Sequence, residues 1–134
     1  MRLFSTILLA AVLLASSCKK ECSPGTGGSN CDVEYRTAII KQWHFNSACF
    51  SGSAWDMSIE KGSGQDGVII TNIDNTGAVV TGKMKDETTC LIEMQTVNDA
   101  TYVGTITTMN NGNGISVSLT KNSDQCSFVG SKKN

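Results

Sequence analysis

From Gln42 onward the apolar residues fall mostly at every second position, the period of a half-buried strand, and polar clusters interrupt them at short intervals. Trp43 and Phe45 alternate with His44, and Trp55, Met57 and Ile59 alternate with Asp56, Ser58 and Glu60. Further runs cover residues 68–74, 78–84, 89–96 and 101–109, then Ile115, Val117 and Leu119, and lastly residues 125–130. Turn sequences separate them: residues 62–67, 75–77, 85–87, Asn98-Asp99, residues 110–114 and 122–124. The pattern predicts an all-β domain of about eight short antiparallel strands. Strands joined by short links pair with their sequence neighbours, so the meander closes as a small up-and-down barrel or folds over as a sandwich. Residues 131–134 are expected as a loose tail.

One stretch ahead of the strands has a different period. In residues 32–42, Asp32 can act as a cap while Val33, Arg36-Thr37 and Ile40 recur at helical spacing. This predicts a short N-terminal helix covering one end of the domain.

If the sheet closes, its inner face carries Trp55, Met57, Ile59, Ile92, Met94, Tyr102, Ile115, Val117 and Leu119. An eight-stranded barrel is either filled by its own side chains or holds one small ligand. Short strands with bulky inward residues favour the filled core.

The start of the chain belongs to neither pattern. A basic Arg2 precedes an apolar run over residues 3–14, and Ala15-Ser16-Ser17 lead to Cys18 and then Lys19-Lys20-Glu21. A positive start, a short apolar segment and small residues before a cut make a secretory signal. The run is too short for a membrane-spanning helix, which needs about 20 apolar residues. The cysteine directly after the small residues resembles the lipid-receiving cysteine of bacterial lipoproteins, although Ala15 stands where that family usually has leucine. The resemblance implies a signal peptide over 1–17, a lipidated Cys18 with a flexible Gly/Ser linker over 18–31, and a single β domain over 32–134. Several acyl chains on one residue anchor a protein stably without spanning the bilayer. The membrane is therefore the first expected partner, with the bacterial cell envelope, specifically the outer membrane, as the location.

Composition narrows the remaining chemistry. Without residues 1–17 the chain keeps ten basic side chains against twelve acidic ones, which excludes the basic footprint of a nucleic-acid binder. Lipidation of Cys18 leaves Cys22, Cys31, Cys49, Cys90 and Cys126, so at most two bridges can form. Cys49 and Cys126 fall in the first and last strands, where a bridge would clasp the closing seam. We therefore expect Cys49–Cys126 together with Cys22–Cys31, leaving Cys90 as a free thiol on the inner face. No C-x-x-C pair occurs and His44 is the single histidine, so neither a metal site nor another cofactor is expected.

Catalytic signals are as sparse. His44 faces away from Trp43 and Phe45, and no motif supplies it with an orienting partner or a nucleophile. The glycine-rich residues 62–67 lead into a strand, whereas phosphate loops lead into a helix. Asp66, Asp74, Asp86 and Asp99 sit in turns, but none has the alternating acidic spacing of a calcium loop.

The Cys-Lys-Lys-Glu start, the Trp and Cys of the first strand region, residues 68–73, 92–97 and 102–106, and the late Cys126 together resemble the short β-rich lipoproteins common in Bacteroidota. That resemblance implies fold and envelope location and no enzymatic activity. The expected role is thus non-enzymatic binding or structure, with a protein or glycan met at loops such as 63–67 and 110–114. A lipocalin-like carrier of a small apolar ligand and an envelope inhibitor of a foreign enzyme are the alternatives. A Cys18→Ala variant should leave the membrane fraction or stay uncleaved, as fractionation with intact-mass measurement will show; unchanged membrane retention of a cleaved chain would sink the anchor.

Overall fold

A computed structural model describes residues 20–46, 49–50 and 53–134. The expected signal peptide and the lipid site at Cys18 lie outside the described residues. Eight strands form one closed antiparallel barrel: β3 (Gln42–Phe45), β4 (Trp55–Lys61), β5 (Gly67–Thr71), β6 (Val79–Met84), β7 (Thr89–Val97), β8 (Ala100–Met109), β9 (Gly114–Lys121) and β10 (Asp124–Lys132). Each pairs with the next, and β10 returns to pair with β3 through Gly130↔Phe45, Ser131↔His44 and Lys132↔Trp43. The choice between barrel and sandwich is settled as a barrel. The expected loose tail is strand as far as Lys132, because closing the tube requires residues 130–132 as the partner of β3.

Period-two alternation produces the core directly. Trp55, Met57 and Ile59 of β4, Val80 and Met84 of β6, and Ile115, Val117 and Leu119 of β9 are all buried. The links between β3 and β4, β5 and β6, β7 and β8, and β9 and β10 gather at one end, called upper here; the others gather at the lower end. Asn98 and Asp99 both take positive φ, 49° and 61°, so the two-residue β7–β8 turn has the twist that matches its strands. At the closing seam Gly130 lies under the ring of Phe45, and a Cβ there would overlap the ring. Phe45 in turn stacks on Trp55 and meets Phe128 edge-on, each with centroids 5.2 Å apart.

The ladder is weakest between β6 and β7, where the register is Lys83↔Leu91 and Met84↔Cys90. A bulge in β7 accompanies this gap: Ile92 pairs with Gly104 and Gln95 with Tyr102, so Glu93 and Met94 together oppose Val103. The extra residue turns Met94 outward, where it is 75% exposed, and so corrects the expectation that it lines the inner face. It also frees the Gln95 amide to span the gap. Gln95 Oε1 accepts from Thr81 N at 2.8 Å, while its Nε2 donates to Thr81 O at 2.8 Å and to Glu93 O at 3.1 Å. A side-chain amide thus satisfies strand groups that the backbone partner no longer reaches.

The expected N-terminal helix is not present. Residues 33–34 form β2 (Val33–Glu34), a short ladder with β1 (Thr26–Gly27), and a single 3₁₀ turn follows at Tyr35–Ala38. The helical spacing misled because Val33 is exposed and the buried apolar residue is Ile39 rather than Ile40. The inward-facing side chain of that turn is Arg36, a cation. Its Nη1 donates to Gly62 O at 3.2 Å, Gly64 O at 2.9 Å and Gly67 O at 2.9 Å, and its Nε lies 3.4 Å from Glu34. The guanidinium ties the N-terminal segment across the lower end of the barrel to the β4–β5 loop. Arg36→Met should cost about 1–3 kcal/mol, because it leaves the buried Gly67 carbonyl contact unmade and removes two part-buried ones; a denaturant midpoint unchanged from wild type would remove Arg36 from this role.

Candidate functional surfaces

The interior is the first place to look for a ligand. It is occupied by large side chains that are essentially inaccessible, among them Trp43, Met57, Ile59, Ile70, Ile92 and Tyr102, packed as one cluster with Ile106, Ile115, Val117 and Leu119. At the upper end the β5–β6 loop folds inward, burying Ile73, Asp74 and Ala78 completely. Asp74 accepts from Thr76 N at 3.2 Å, Thr76 Oγ1 at 2.7 Å, Tyr102 Oη at 3.0 Å and Lys121 Nζ at 2.6 Å. Burial pushes its carboxyl up, but the hydrogen bonds from Lys121, Thr76 and Tyr102 outweigh that and hold it below the ordinary 3.8. Tyr102 is raised by its burial and by the neighbouring carboxylate; Lys121 is raised by its bond to Asp74. Among the described residues Arg36 and Asp74 are the buried charged side chains, one at each end of the barrel.

Sequence pattern alone overlooked both ions. The signal for the upper one was present: Ile115, Val117, Leu119 and Lys121 share one parity, so strand alternation points a lysine inward and demands an anion to meet it. For Arg36 the helical assignment hid the signal.

The cysteines occupy the expected places in the fold with one difference. Cys22 is bonded to Cys31 and Cys49 to Cys126, with Cα separations of 5.2 and 6.0 Å. Cys126 lies in β10, whereas Cys49 stands in the turn beyond β3 rather than within that strand. Cys90 is free and buried on the inner face, close against Gly82, where a Cβ would stand 2.6 Å from its sulfur. Burial pushes its thiol up to about 12, far from a reactive thiolate at neutral pH.

His44 projects from the outer face of β3. Its Nδ1 is 2.8 Å from Asp56 Oδ1 and its Nε2 is 3.1 Å from Asn46 Oδ1, while Lys133 pairs with the other oxygen of Asp56. Both ring nitrogens face acceptors, which suits the imidazolium; the bond to Asp56, then that to Asn46, raise its pKa above 6.5.

The glycine-rich loop 62–67 points carbonyl oxygens at the Arg36 cation, the opposite of a phosphate cradle. Two of the turn aspartates serve their own turns. Asp86 accepts from Thr88 N and Thr89 N, each at 2.9 Å, and Asp74 accepts from Thr76. Among the described residues no group of three or more His, Cys, Asp or Glu side chains is arranged to hold a metal ion.

The outer face offers shallow grooves. One of about 300 Å³ runs along the β5–β6–β7 surface past Ile69, Thr81, Lys83, Leu91 and Glu93, beside the Gln95 bridge. Another, of about 440 Å³, lies over β7–β10 and is lined by Leu91, Val103, Thr105, Ser118, Thr120 and Gln125, with the Glu93 carboxylate at its β7 side. The adjoining outward positions of β8, β9 and β10 pair Thr107↔Ser116, Thr105↔Ser118↔Ser127 and Val103↔Thr120↔Gln125, a face without charge. No protein-family model, curated protein or solved structure matches this chain.

Two pH dependences follow with opposite signs. Asp74 is depressed in the folded protein, so its contribution is present above pH 3.8 and lost as pH falls through its lower folded value. Asp74→Asn should remove this acid-side loss, and Lys121→Met, which leaves the carboxylate with one cation fewer, should cost about 3 kcal/mol at neutral pH; urea melts between pH 2 and pH 7 check both. His44 is raised, so its contribution is present below pH 6.5 and lost as pH rises through the folded value. The single imidazole should titrate by NMR above 6.5, and Asp56→Asn should bring it back toward that value.

Proposed function

We propose that this protein is a lipid-anchored lipoprotein of the bacterial cell envelope, tethered through Cys18, with a non-enzymatic binding role carried by its outer face and loops. In this reading it belongs with the short β-rich lipoproteins that its sequence resembles. The observation that carries the binding mode is the sealing of the barrel: the interior is packed with its own side chains, and a buried ion closes each end. An eight-stranded barrel is only just wide enough for such filling, so a partner is met from outside. The assigned His44 contacts are acceptors rather than a nucleophile, and Cys90 is buried, which favours binding over catalysis. The uncharged outward face of β8–β10 and the polar loops suit a protein or a neutral glycan.

One observation favours a small-ligand carrier as the second reading. Among the described residues no acceptor meets the buried Trp55 Nε1, at 4% exposure for the residue, and a buried donor of that kind is ordinarily satisfied by water or a ligand atom. Native mass spectrometry of the mature protein extracted from membranes separates the two. The expected species is the chain from residue 18 with acyl groups, less the hydrogens lost to two disulfides. A further small-molecule mass that disappears on denaturation would replace the outer-face reading with the carrier.

A further inference from the structure

Between β6 and β7 the barrel wall is closed in part by a side chain. The two strands pair near the lower end, at Lys83↔Leu91 and Met84↔Cys90, while residues 79–81 find their ladder partners in β5. Thr81 N and O point toward β7 and meet the Gln95 carboxamide, which accepts from the first and donates to the second, each at 2.8 Å. The same Nε2 donates across to Glu93 O at 3.1 Å. The carboxamide thus gives Thr81 the accepted and donated bonds that an opposite residue gives in an antiparallel ladder. Main-chain groups two residues apart in a strand point the same way, so the N–H and C=O of Val79 face the gap above this bridge.

Exposed apolar side chains flank the gap. Among the described residues five large hydrophobic side chains are exposed, and three of them, Ile69, Val79 and Met94, stand beside it. Ile69 of β5 pairs with Thr81, Val79 is two residues along β6, and Met94 lies between Glu93 and Gln95 in the bulge. The groove of about 300 Å³ past Ile69, Thr81 and Leu91 runs from the β4–β5 loop up to the bridge. The charges along it, Lys83 and Glu93, are paired with each other at 3.5 Å.

Resting on the outer-face binding proposed above, and naming its partner, we infer that the β6–β7 gap is an acceptor site for an extended segment of another protein. The main chain of that segment takes over Thr81 from the Gln95 carboxamide and pairs with Val79 as well, while the released carboxamide is hydrated. Strand N–H and C=O groups that lack a main-chain neighbour are a template for an added strand. Val80, Cys90 and Ile92 are buried behind the gap, so the residues of the segment that face the barrel must be small. The alternate residues face outward, are apolar, and cover Ile69, Val79 and Met94. The mutual pairing of Lys83 and Glu93 favours a segment without charge. Among the described residues every strand is committed to the barrel or to the β1–β2 ladder, so the segment comes from a different protein and not from a second copy.

The test pans the exported protein, held in lipid nanodiscs, against phage-displayed random peptides of about ten residues, long enough to pair as a strand. Enriched peptides are synthesised and titrated by fluorescence anisotropy. They should alternate small and apolar residues, and Val79→Asp and Met94→Asp should each weaken them about tenfold or more by placing a charge in an apolar contact. Gln95→Ala should strengthen binding by vacating the Thr81 groups, and solvent exchange of the Val79 amide should slow in the complex. Val79 and Met94 are exposed, so their variants test the site even where Gln95→Ala impairs folding. No enrichment, or peptides indifferent to Val79→Asp and Met94→Asp, overturns the inference. Peptides lost instead on Thr105→Arg or Ser118→Arg overturn this site and leave the outer-face reading standing, whereas a small molecule held inside the barrel defeats that reading itself. Self-association abolished by Val79→Asp would put a second copy in the gap and overturn the foreign partner.

Discussion

Strand β10 hydrogen-bonds to β3, and that pairing turns a meander into a tube in which no strand is left as a free edge. Closure fixes which side chains must share the interior, since a one-residue slip anywhere would turn that strand's inward set to solvent. It also imposes local costs that the sequence answers individually. Gly130 makes room for Phe45 where the seam closes, and Gly82 makes room for Cys90 near the lower end. The bulge in β7 lets the circuit close at the price of a ladder gap, which the Gln95 amide spans.

A closed tube still has two mouths, and here each is stopped by a charge rather than by apolar side chains alone. Arg36 is held by carbonyl oxygens, and Asp74 by donors from a turn, a tyrosine and a lysine. Buried ions of this kind contribute less to net stability than to the uniqueness of the arrangement, because any alternative packing leaves them unmatched. The result is a domain whose inside is committed to its own structure.

Strand number, order and inward parity were largely legible in the sequence, because a half-buried sheet writes itself as alternation. Trp55, Met57, Ile59 and the Ile115, Val117, Leu119 series needed no tertiary information. The failures all came from places where long-range contacts overrode a local signal. Residues 32–42 had helical spacing, but 33–34 were drawn into a ladder with β1 and 35–38 into a single 3₁₀ turn with an arginine anchor. Met94 followed the alternation until a bulge shifted it outward. Residues 131–132 looked like a tail because nothing local reveals that β3 is waiting for them. The outer face is less legible still, since uncharged Ser and Thr positions are common to solvated sheets and carry no chemical signature of one ligand.

The pairing of the last strand with the first barrel strand has a temporal consequence. Cys49 and Cys126 are 77 residues apart, and β3 finds its second neighbour only when the final residues of the chain are present. That one non-local pairing comes with a large loop-closure cost, whereas every other ladder joins consecutive strands, so the seam stays open until the end. While the chain is still being made, N-terminus first, the barrel cannot be completed, because β3 waits for a partner that is the last strand to emerge. Topology itself thus ties completion of the fold to completion of the chain.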